Sequence, residues 1–188
     1  KNTYESGVSI GATFSALSCS SQFDREALSD EPRFANPALF PNTVMNAAAS
    51  RISIHFKIKG MNTTISTGIC AGLDAIDYAV KAIRYRGKKM IVAGGVEDLS
   101  EALFLGFYRA GLLSGITNGK VVSCPFDSKR DGIVLSEGAG VVILEDMESA
   151  QKRGAKIYGE ILAVASAYTP FPHNQRRRAL SDGMIDAI

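Results

Sequence analysis

A cysteine between a predicted strand and a predicted helix is the part of this sequence best suited to chemistry. Residues 63–67 are largely β-branched and predict a strand, residues 68–72 are mostly small and predict a tight corner, and a helix follows. Unpaired N–H groups and the dipole at a helix N-terminus favour a thiolate and stabilise an oxyanion. Cys70 lies in this corner. It is therefore the candidate catalytic nucleophile.

Composition argues against several other kinds of function. The 188 residues carry 21 Lys and Arg against 19 Asp and Glu, a balance unlike that of proteins held to nucleic acid by phosphate contacts. No apolar run is long enough to span a membrane, and no signal pattern opens the chain. Two histidines and three cysteines, without metal-like spacing, argue against a metal site and indicate a reduced, cytoplasmic protein. The basic run at 176–178 is interpreted as a solvated helix face.

The elements that must position the corner alternate between strands and helices, which is typical of an α/β fold in one domain. In chain order they are a strand at 7–12, a helix at 42–56, the strand at 63–67, a helix ending at Gly87, a strand at 90–93, a helix at 102–113, a hairpin of 133–135 with 141–144, a short helix capped by Asp146, a strand at 157–165 and a helix at 180–188. Polar residues and prolines predict an irregular segment at 19–40. The strand, helix and strand around residues 63–93 predict a parallel crossover unit.

The helix after the corner is predicted most firmly by its periodicity. Its apolar stripe consists of Leu73, Ile76, Val80 and Ile83. Asp77 and Lys81 lie four residues apart on the other side, in the order that favours an ion pair. The stripe is therefore expected to face the core.

Short motifs follow one another along the chain in an order that one enzyme family shares. They are Pro-Asn-Thr-Val-Met-Asn at 41–46, Ser-Thr and Gly-Leu-Asp-Ala around the corner, Gly-Gly-Val-Glu at 94–97, Gly-Phe with Leu-Ser at 106–114, Pro-Phe-Asp-Ser-Lys-Arg-Asp-Gly-Ile-Val at 125–134, Ser-Glu-Gly-Ala-Gly at 136–140 and Arg-Gly-Ala-Lys-Ile-Tyr at 153–158. This series resembles the β-ketoacyl synthases, the condensing enzymes of fatty-acid and polyketide assembly.

The resemblance implies the thiolase fold, a layered α-β-α-β-α sandwich that is pseudo-duplicated and usually dimeric. Residues 1–188 would then be one partial domain, the N-terminal half plus the start of the C-terminal half. We expect the chain to be incomplete, since it opens on Lys1 without a methionine. In the family dimer, the strand before the corner pairs with its counterpart, and residues 60–67 occupy that place here.

The resemblance also implies a reaction. In the family, the corner cysteine takes an acyl group from the phosphopantetheine of acyl carrier protein. A malonyl carrier then loses CO2, and the carbanion attacks the acyl-enzyme. No resident cofactor is implied. Two downstream histidines, in His-Gly-Thr and Asn-x-x-x-Gly-His motifs, promote decarboxylation, and neither motif occurs in this chain. His173 lies in a proline-flanked loop and matches neither.

The corner departs from the family pattern at its reactive position. Aligned without a gap, the family cysteine falls on Ile69, and Cys70 lies one residue late. One residue along a helix rotates a side chain by about 100° and advances it about 1.5 Å, which disrupts catalytic geometry. Because Cys70 precedes Leu73 on the apolar stripe, we expect a structural thiol packed inward. The alternative is that Gly68 loosens the corner and brings Cys70 forward as a shifted nucleophile.

Three functional hypotheses follow. The leading one is a subunit like a chain-length factor (ketosynthase β), which lacks the cysteine and pairs with an active ketosynthase α. Known chain-length factors often carry glutamine there, so Ile69 is itself a departure. The second is an active 3-oxoacyl-acyl-carrier-protein synthase that uses Cys70. The third is a non-catalytic thiolase-fold interaction protein. Expected partners are acyl carrier protein and either a ketosynthase α-like subunit or a second copy, with no nucleic acid or membrane.

Several other polar residues are predicted to be structural. Asp127, Arg130 and Asp131 are expected to form a buried ion cluster, and Glu97 to be a hydrogen-bonded acid at a strand end. The glycines of 136–140 are expected to form the hairpin turn, since the phosphate-binding lysine of a P-loop is missing. Cys124 is expected to be an ordinary loop or core thiol.

Overall fold

The computed structural model describes residues 4–29, 32–116 and 119–167 of the chain. Its framework is a four-stranded sheet in the order β2-β1-β3-β4. The strands are β1 (Ser6–Gly11), β2 (Asn62–Ile65), β3 (Met90–Glu97) and β4 (Gly138–Glu145). β1 pairs in parallel with β2 and with β3, and β3 pairs antiparallel with β4. The predicted parallel arrangement around the corner is confirmed, with β1 inserted between β2 and β3.

Helices cover both faces of this sheet. They are α1 (Leu17–Ser29), α2 (Ala47–Phe56), α3 (Ala71–Arg86), α4 (Glu101–Arg109) and α5 (Met147–Lys152), with short 3-10 turns at Pro32–Phe34 and Phe40–Asn42. None of the helices in the described segments has the length and apolar character needed to cross a membrane. The predicted helix at 180–188, the basic run at 176–178 and His173 lie outside the described residues.

The core consists of two clusters on opposite faces of the sheet. Val8 and Ile10 of β1 pack with Ala49 of α2. Between them in sequence, Ser9 faces the other side and donates its hydroxyl to the carbonyl of Ala75 in α3, at 2.9 Å. Because successive side chains in a strand alternate between faces, α2 and α3 lie on opposite sides of β1. The second cluster, between α3 and β3, consists of Ala79, Ala82, Ile91 and Ala93.

The buried face of α3 differs from the predicted stripe. Its fully buried residues are alanines, namely Ala71, Ala75, Ala79 and Ala82. Leu73, predicted to be in the core, is 68% exposed, while Ile76 and Ile83 pack at the margin of the cluster. The reason is distance, because a helix lying close against two strands has room only for methyl groups beneath it. The predicted apolar stripe therefore lies next to the face that is buried, and the prediction differs because it chose the bulky residues over the neighbouring alanines.

Several local predictions are confirmed. Asp146 caps α5 by accepting a hydrogen bond from the amide of Ser149 at 3.1 Å. Lys81 and Asp77 form the predicted ion pair, with 2.7 Å between nitrogen and oxygen. The helix α3 ends at Gly87 as expected. Helices α2 and α4 exist, although α2 begins at Ala47 and α4 ends at Arg109, so each is shorter than predicted.

The prediction of an irregular segment at 19–40 is wrong for its first half, because α1 runs through to Ser29. The serines that lowered its predicted helicity are followed by good helix formers around Asp24 and Ala27. Contacts from elsewhere then hold the helix. The ring of Phe23 lies 6.1 Å from that of Phe40, and the Ser20 hydroxyl donates to the carbonyl of Thr43 at 3.2 Å.

The predicted hairpin is also wrong. Residues 138–145 do form a strand, but its partner is β3, with which it pairs over the whole length of both strands. Ile133 instead forms an isolated bridge to Leu113. A long ladder on the free edge of β3 satisfies more backbone groups than a short hairpin would. Residues 157–165 form no strand in the described part of the chain, so the strand predicted there is wrong as well. The Arg84 guanidinium instead donates to the carbonyls of Ile161 and Leu162, at 3.0 and 2.8 Å.

The first turn of α3 touches the sheet backbone directly. A Cβ atom at Gly11 would lie 2.2 Å from the carbonyl carbon of Ala71 and 2.4 Å from the nitrogen of Gly72. A Cβ at Gly95 would lie 3.1 Å from the Cα of Gly72. These glycines in β1, α3 and β3 let three backbones meet where a side chain on Gly11 would not fit.

Gly11→Ala is therefore expected to destabilise the protein by about 3 kcal/mol, since the atoms it would meet are backbone and cannot move aside cheaply. Gly106→Ala is the matched control, because Gly106 lies inside α4 with nothing within 4 Å of its would-be Cβ. That change should stabilise the protein by up to about 1 kcal/mol. Urea unfolding measures both, and equal stability of Gly11→Ala and the unmodified protein would contradict the close approach.

Candidate active site

The predicted corner lies between the end of β2 at Ile65 and the start of α3 at Ala71. Gly68 turns the chain with a φ of 89°, a left-handed conformation that favours glycine. The amide of Ala12 donates to the carbonyl of Ile65 at 2.9 Å, and the hydroxyl of Thr13 donates to the carbonyl of Gly68 at 3.0 Å. The chain that follows β1 thus holds the corner on both sides of its turn.

The start of α3 is fixed by hydrogen bonds within the corner. Cys70 occupies the N-cap position, and its carbonyl accepts from the amides of Leu73 and Asp74 at 2.9 and 3.0 Å. The Cys70 side chain makes no capping hydrogen bond. The hydroxyl of Thr67 donates to the carboxylate of Asp74. The strand, corner and helix predicted from the sequence are confirmed.

A cavity of about 450 Å³ opens at this corner. Ile69 projects at its edge and is 78% exposed, and Gly68, Ala71 and Gly72 continue the same wall. The remaining walls come from the end of β1 and the chain after it, from the end of β3, from α4 and from residues 133–138. The site is therefore built from segments that lie far apart in the sequence.

Apolar side chains dominate the far wall of the cavity. The rings of Phe14 and Phe107 meet edge to face, with 5.9 Å between their centroids. Leu103, Ile133 and Leu135 continue this surface. Such a lining favours an aliphatic group over a charged one. The chemistry that the arrangement supports is therefore the binding of an apolar chain beside a helix N-terminus.

The structure separates Ile69 from Cys70. Ile69 lines the cavity, whereas Cys70 is exposed and lies outside the lining. The prediction that Cys70 packs inward on the apolar stripe is wrong. The buried face of α3 starts at Ala71, and position 70 points about 100° away from it. The catalytic role of Cys70 stays a prediction, and the geometry leaves its thiol beside the cavity and not in its wall.

Glu97 is the best-connected polar group of the cavity wall. Its carboxylate accepts from the amide of Thr13 at 2.5 Å and from the amide of Phe14 at 2.9 Å. The prediction of a hydrogen-bonded acid at the end of β3 is confirmed. The next residue, Asp98, has a buried oxygen without a partner among the described residues. Burial raises the pKa of Asp98, and the nearby charges of Glu97 and Glu137 raise it further.

The loop after α4 is ordered by hydrogen bonds that each join a charged group to a neutral one. The hydroxyl of Ser114 and the amide of Gly115 donate to Asp131 at 2.6 and 3.1 Å, and these hydrogen bonds lower the pKa of that carboxyl. The guanidinium of Arg130 donates to the backbone carbonyl of Asp127 at 2.7 Å. All three predicted members of the cluster are exposed. The prediction of a buried ion cluster is therefore wrong.

The glycine-rich stretch at 136–140 has a different role from the predicted turn. Its last three residues belong to β4, and Ser136, Glu137 and Gly138 form part of the cavity wall. Cys124 lies in a loop and is half-buried, as expected of an ordinary thiol. The described residues contain no group of three or more His, Cys, Asp or Glu side chains placed to hold a metal ion.

Phe14 and Ile133 are wall residues that the sequence did not identify. Phe14 lies in a stretch whose serines and small residues carry no helical or strand pattern, so nothing in the sequence marked it. Ile133 and Phe107 lay within recognised motifs, but the motifs do not say that the two segments meet. Their proximity follows from the bridge between Leu113 and Ile133.

Comparison with known proteins gives a consistent result. Residues 2–150 match the family model described as "Beta-ketoacyl synthase, N-terminal domain". The 3-oxoacyl-[acyl-carrier-protein] synthase 2 of Vibrio cholerae is 35% identical over 164 residues, which cover 86% of this chain and 40% of that protein. The 3-oxoacyl-[acyl-carrier-protein] synthase homolog of Saccharomyces cerevisiae is 36% identical over 157 residues, which cover 83% of this chain and 34% of that protein.

Solved structures of similar fold include two from ketosynthase assemblies. AntDE:AntF, a type II PKS acyl-carrier protein in complex with its ketosynthase bound to the hexaketide, superposes with a TM-score of 0.83 and 28% identity, covering 100% of this chain and 50% of that one. The ishigamide ketosynthase/chain length factor superposes with a TM-score of 0.78 and 26% identity, covering 97% of this chain and 46% of that one. The chain spans half or less of the length of these four proteins.

The position of Cys70 leads to a simple test. A small maleimide should label Cys70 at the rate of a free thiol and label the half-buried Cys19 and Cys124 more slowly. Cys70→Ala should change the free energy of unfolding by less than about 0.5 kcal/mol, as expected for a surface position. Mass spectrometry after timed labelling and urea unfolding give the two readouts. A decrease of about 2 kcal/mol in the free energy of unfolding of Cys70→Ala would instead support a thiol packed in the core.

Proposed function

This chain belongs to the β-ketoacyl synthase family and has its thiolase fold, and from that membership we propose that it acts in fatty-acid or polyketide chain elongation. Its role is that of a chain-length-factor-like subunit, which helps to form the cavity for a growing acyl chain and leaves acylation to an active ketosynthase. The observation that carries this proposal is Ile69, an aliphatic residue that lines the cavity at the family's nucleophile position.

The side chain of Ile69 cannot attack a thioester, because it carries no nucleophilic atom. The rest of the site retains what a bound acyl chain requires. The wall formed by Phe14, Phe107 and Leu103 is apolar, and it lies opposite the start of α3. The site thus has an apolar wall and an aliphatic residue at the nucleophile position. This combination suits a subunit that limits the length of an acyl chain but does not form a thioester with it.

Two partners follow from this role. Acyl carrier protein would present the acyl group on its phosphopantetheine, so the subunit needs no resident cofactor. A ketosynthase α-like subunit would supply the cysteine. A second copy of this chain could pair through the same edge of the sheet, which is formed by β2. β2 is an edge strand of the described sheet, so its outer edge is available to pair with a counterpart strand. The AntDE:AntF and ishigamide assemblies support partners of these kinds by analogy.

The second candidate is an active 3-oxoacyl-acyl-carrier-protein synthase that uses Cys70. Exposure of this thiol at the N-cap of α3 favours it, as do the names of the curated relatives. In that case Cys70→Ala would abolish acyl transfer from acyl carrier protein. The third candidate, a non-catalytic interaction protein, would alter neither acyl transfer nor product length when its cavity wall is changed.

Ile69→Cys should place a thiol in the cavity wall. The measured quantity is the labelling rate with a dodecyl maleimide divided by the rate with an ethyl maleimide. In a chain that carries Ile69→Cys and Cys70→Ala, this ratio at position 69 should be at least about tenfold higher than the ratio at Cys70 in the unmodified chain. The apolar wall binds the long reagent next to residue 69 but not next to residue 70. Labelling rates by mass spectrometry provide the check. Preference for the long reagent at Cys70 would instead support the shifted nucleophile.

Phe14→Ala should lengthen the products of the assembled system. Removing the ring opens the wall beside Phe107, so a longer acyl chain fits. Phe56→Ala is the control, since Phe56 is 66% exposed at the end of α2 and does not line the cavity. Products formed with acyl carrier protein and a partner ketosynthase are measured by mass spectrometry.

Three outcomes separate the candidates. Longer products with Phe14→Ala, unchanged by Phe56→Ala and Cys70→Ala, support the proposal. Loss of all product with Cys70→Ala supports the active synthase. No effect of any of these changes supports the interaction protein and contradicts the proposed role.

A further inference from the structure

A single carboxylate joins the cavity wall to the corner. Glu97, the last residue of β3, accepts from the consecutive amides of Thr13 and Phe14, one on each oxygen. We propose that Glu97 is a positioning residue that sets the depth of the cavity by holding Phe14 in its wall and Thr13 against the corner. The role of Glu97 in setting cavity depth rests on the proposed function. The hydrogen bonds from Thr13 and Phe14 to Glu97 are independent of that function.

The two hydrogen bonds from the amides of Thr13 and Phe14 to Glu97, called the clamp below, lie where the chain leaves the sheet. β1 ends at Gly11, and the ladder contacts end with the bond from the amide of Ala12 to Ile65. The next two amides, of Thr13 and Phe14, both donate to Glu97. Hydrogen bonds to an ionised acceptor are about twice as strong as neutral ones. The carboxylate therefore fixes the first residues beyond the strand, which no backbone ladder holds.

The two residues whose amides donate to Glu97 connect to different parts of the cavity wall. The ring of Phe14 forms the apolar wall with Phe107. The hydroxyl of Thr13 donates to the carbonyl of Gly68, next to Ile69. A shift of residues 13 and 14 would therefore move both the wall and the corner. Glu97→Gln would keep one acceptor oxygen and turn the other into an NH2 donor, so one of the two amides would lose its acceptor, and that cost favours rearrangement of this segment.

A second glutamate of the same cavity provides a control. Glu137 also lines the cavity, but among the described residues its carboxylate accepts a single hydrogen bond, from the amide of Leu99 at 3.4 Å. Glu137→Gln makes the same chemical change as Glu97→Gln and removes the same charge from the same wall. It leaves the amides of Thr13 and Phe14 with their acceptor. Any difference between the two variants therefore reports the clamp and not the cavity charge.

The experiment measures cavity depth directly. The full chain with Ile69→Cys and Cys70→Ala is labelled with ethyl, hexyl and dodecyl maleimides. We expect Glu97→Gln to raise the ratio of the dodecyl to the ethyl rate at least about fivefold, since loss of hydrogen bonds of this kind changes equilibria by that order. Glu137→Gln should leave the ratio within about twofold. Phe14→Ala should raise the ratio too, and adding Glu97→Gln to it should have little further effect because both act on one wall.

The outcomes separate positioning from plain stabilisation. The proposal would be overturned if Glu97→Gln changed the rates with all three reagents by the same factor, because the ratio of dodecyl to ethyl rates would then be unchanged. A ratio equal to that of Glu137→Gln would also overturn it. Glu97→Asp, which keeps the charge, should recover part of the original ratio, and a ratio identical to that of Glu97→Gln would count against a role for the carboxylate.

A second readout separates failure of the clamp from failure of the proposed function. Hydrogen exchange at one or both of the amides of Thr13 and Phe14 should be faster in Glu97→Gln by at least about tenfold, because glutamine keeps only one acceptor oxygen, and it should be unchanged in Glu137→Gln. If the parent chain shows no dependence on reagent length, the acyl cavity is refuted. Faster exchange would still establish the clamp in that case, and unchanged exchange would refute the clamp whatever the labelling shows.

Discussion

The close approach of the first turn of α3 to the sheet is the constraint on which the rest of the structure depends. Gly11, Gly72 and Gly95 bring the backbones of β1, α3 and β3 together with no side chain between them. Alanines continue the contact along the helix. Because the helix start is held against two strands, its rotation about its own axis is fixed. The direction of every side chain in the corner then follows from its place in the sequence.

This fixed rotation decides what the site presents to a bound molecule. One residue along the chain separates a side chain in the cavity wall from a side chain outside it. Ile69 falls on the first and Cys70 on the second. Had α3 been free to turn, the thiol could have reached the cavity. The packing of glycine and alanine beneath the helix thus keeps Ile69 in the cavity wall and Cys70 outside it.

The cavity itself is assembled from distant segments by two different kinds of contact. The long β3–β4 ladder and the bridge between Leu113 and Ile133 bring residues 133–138 to the corner. The Glu97 carboxylate does the same for the residues after β1. Backbone ladders set the position of whole segments, whereas a carboxylate fixes two particular amides. The polar wall of the cavity is therefore structural in purpose, and the surface offered to a ligand remains apolar.

The sequence by itself determined the elements whose pattern is local. The β-branched run before the corner, the periodic helix after it, the ion pair of Asp77 with Lys81 and the cap at Asp146 depend on neighbours within a few residues. The motif series also identified the family, and its alignment without a gap predicts that Ile69 occupies the family's reactive position. Only the tertiary structure decided which face of α3 is buried, that β4 joins β3, that α1 is helical and that Phe14 faces Phe107. These depend on the distance between backbones and on competition among partners remote in sequence, quantities that no local pattern contains.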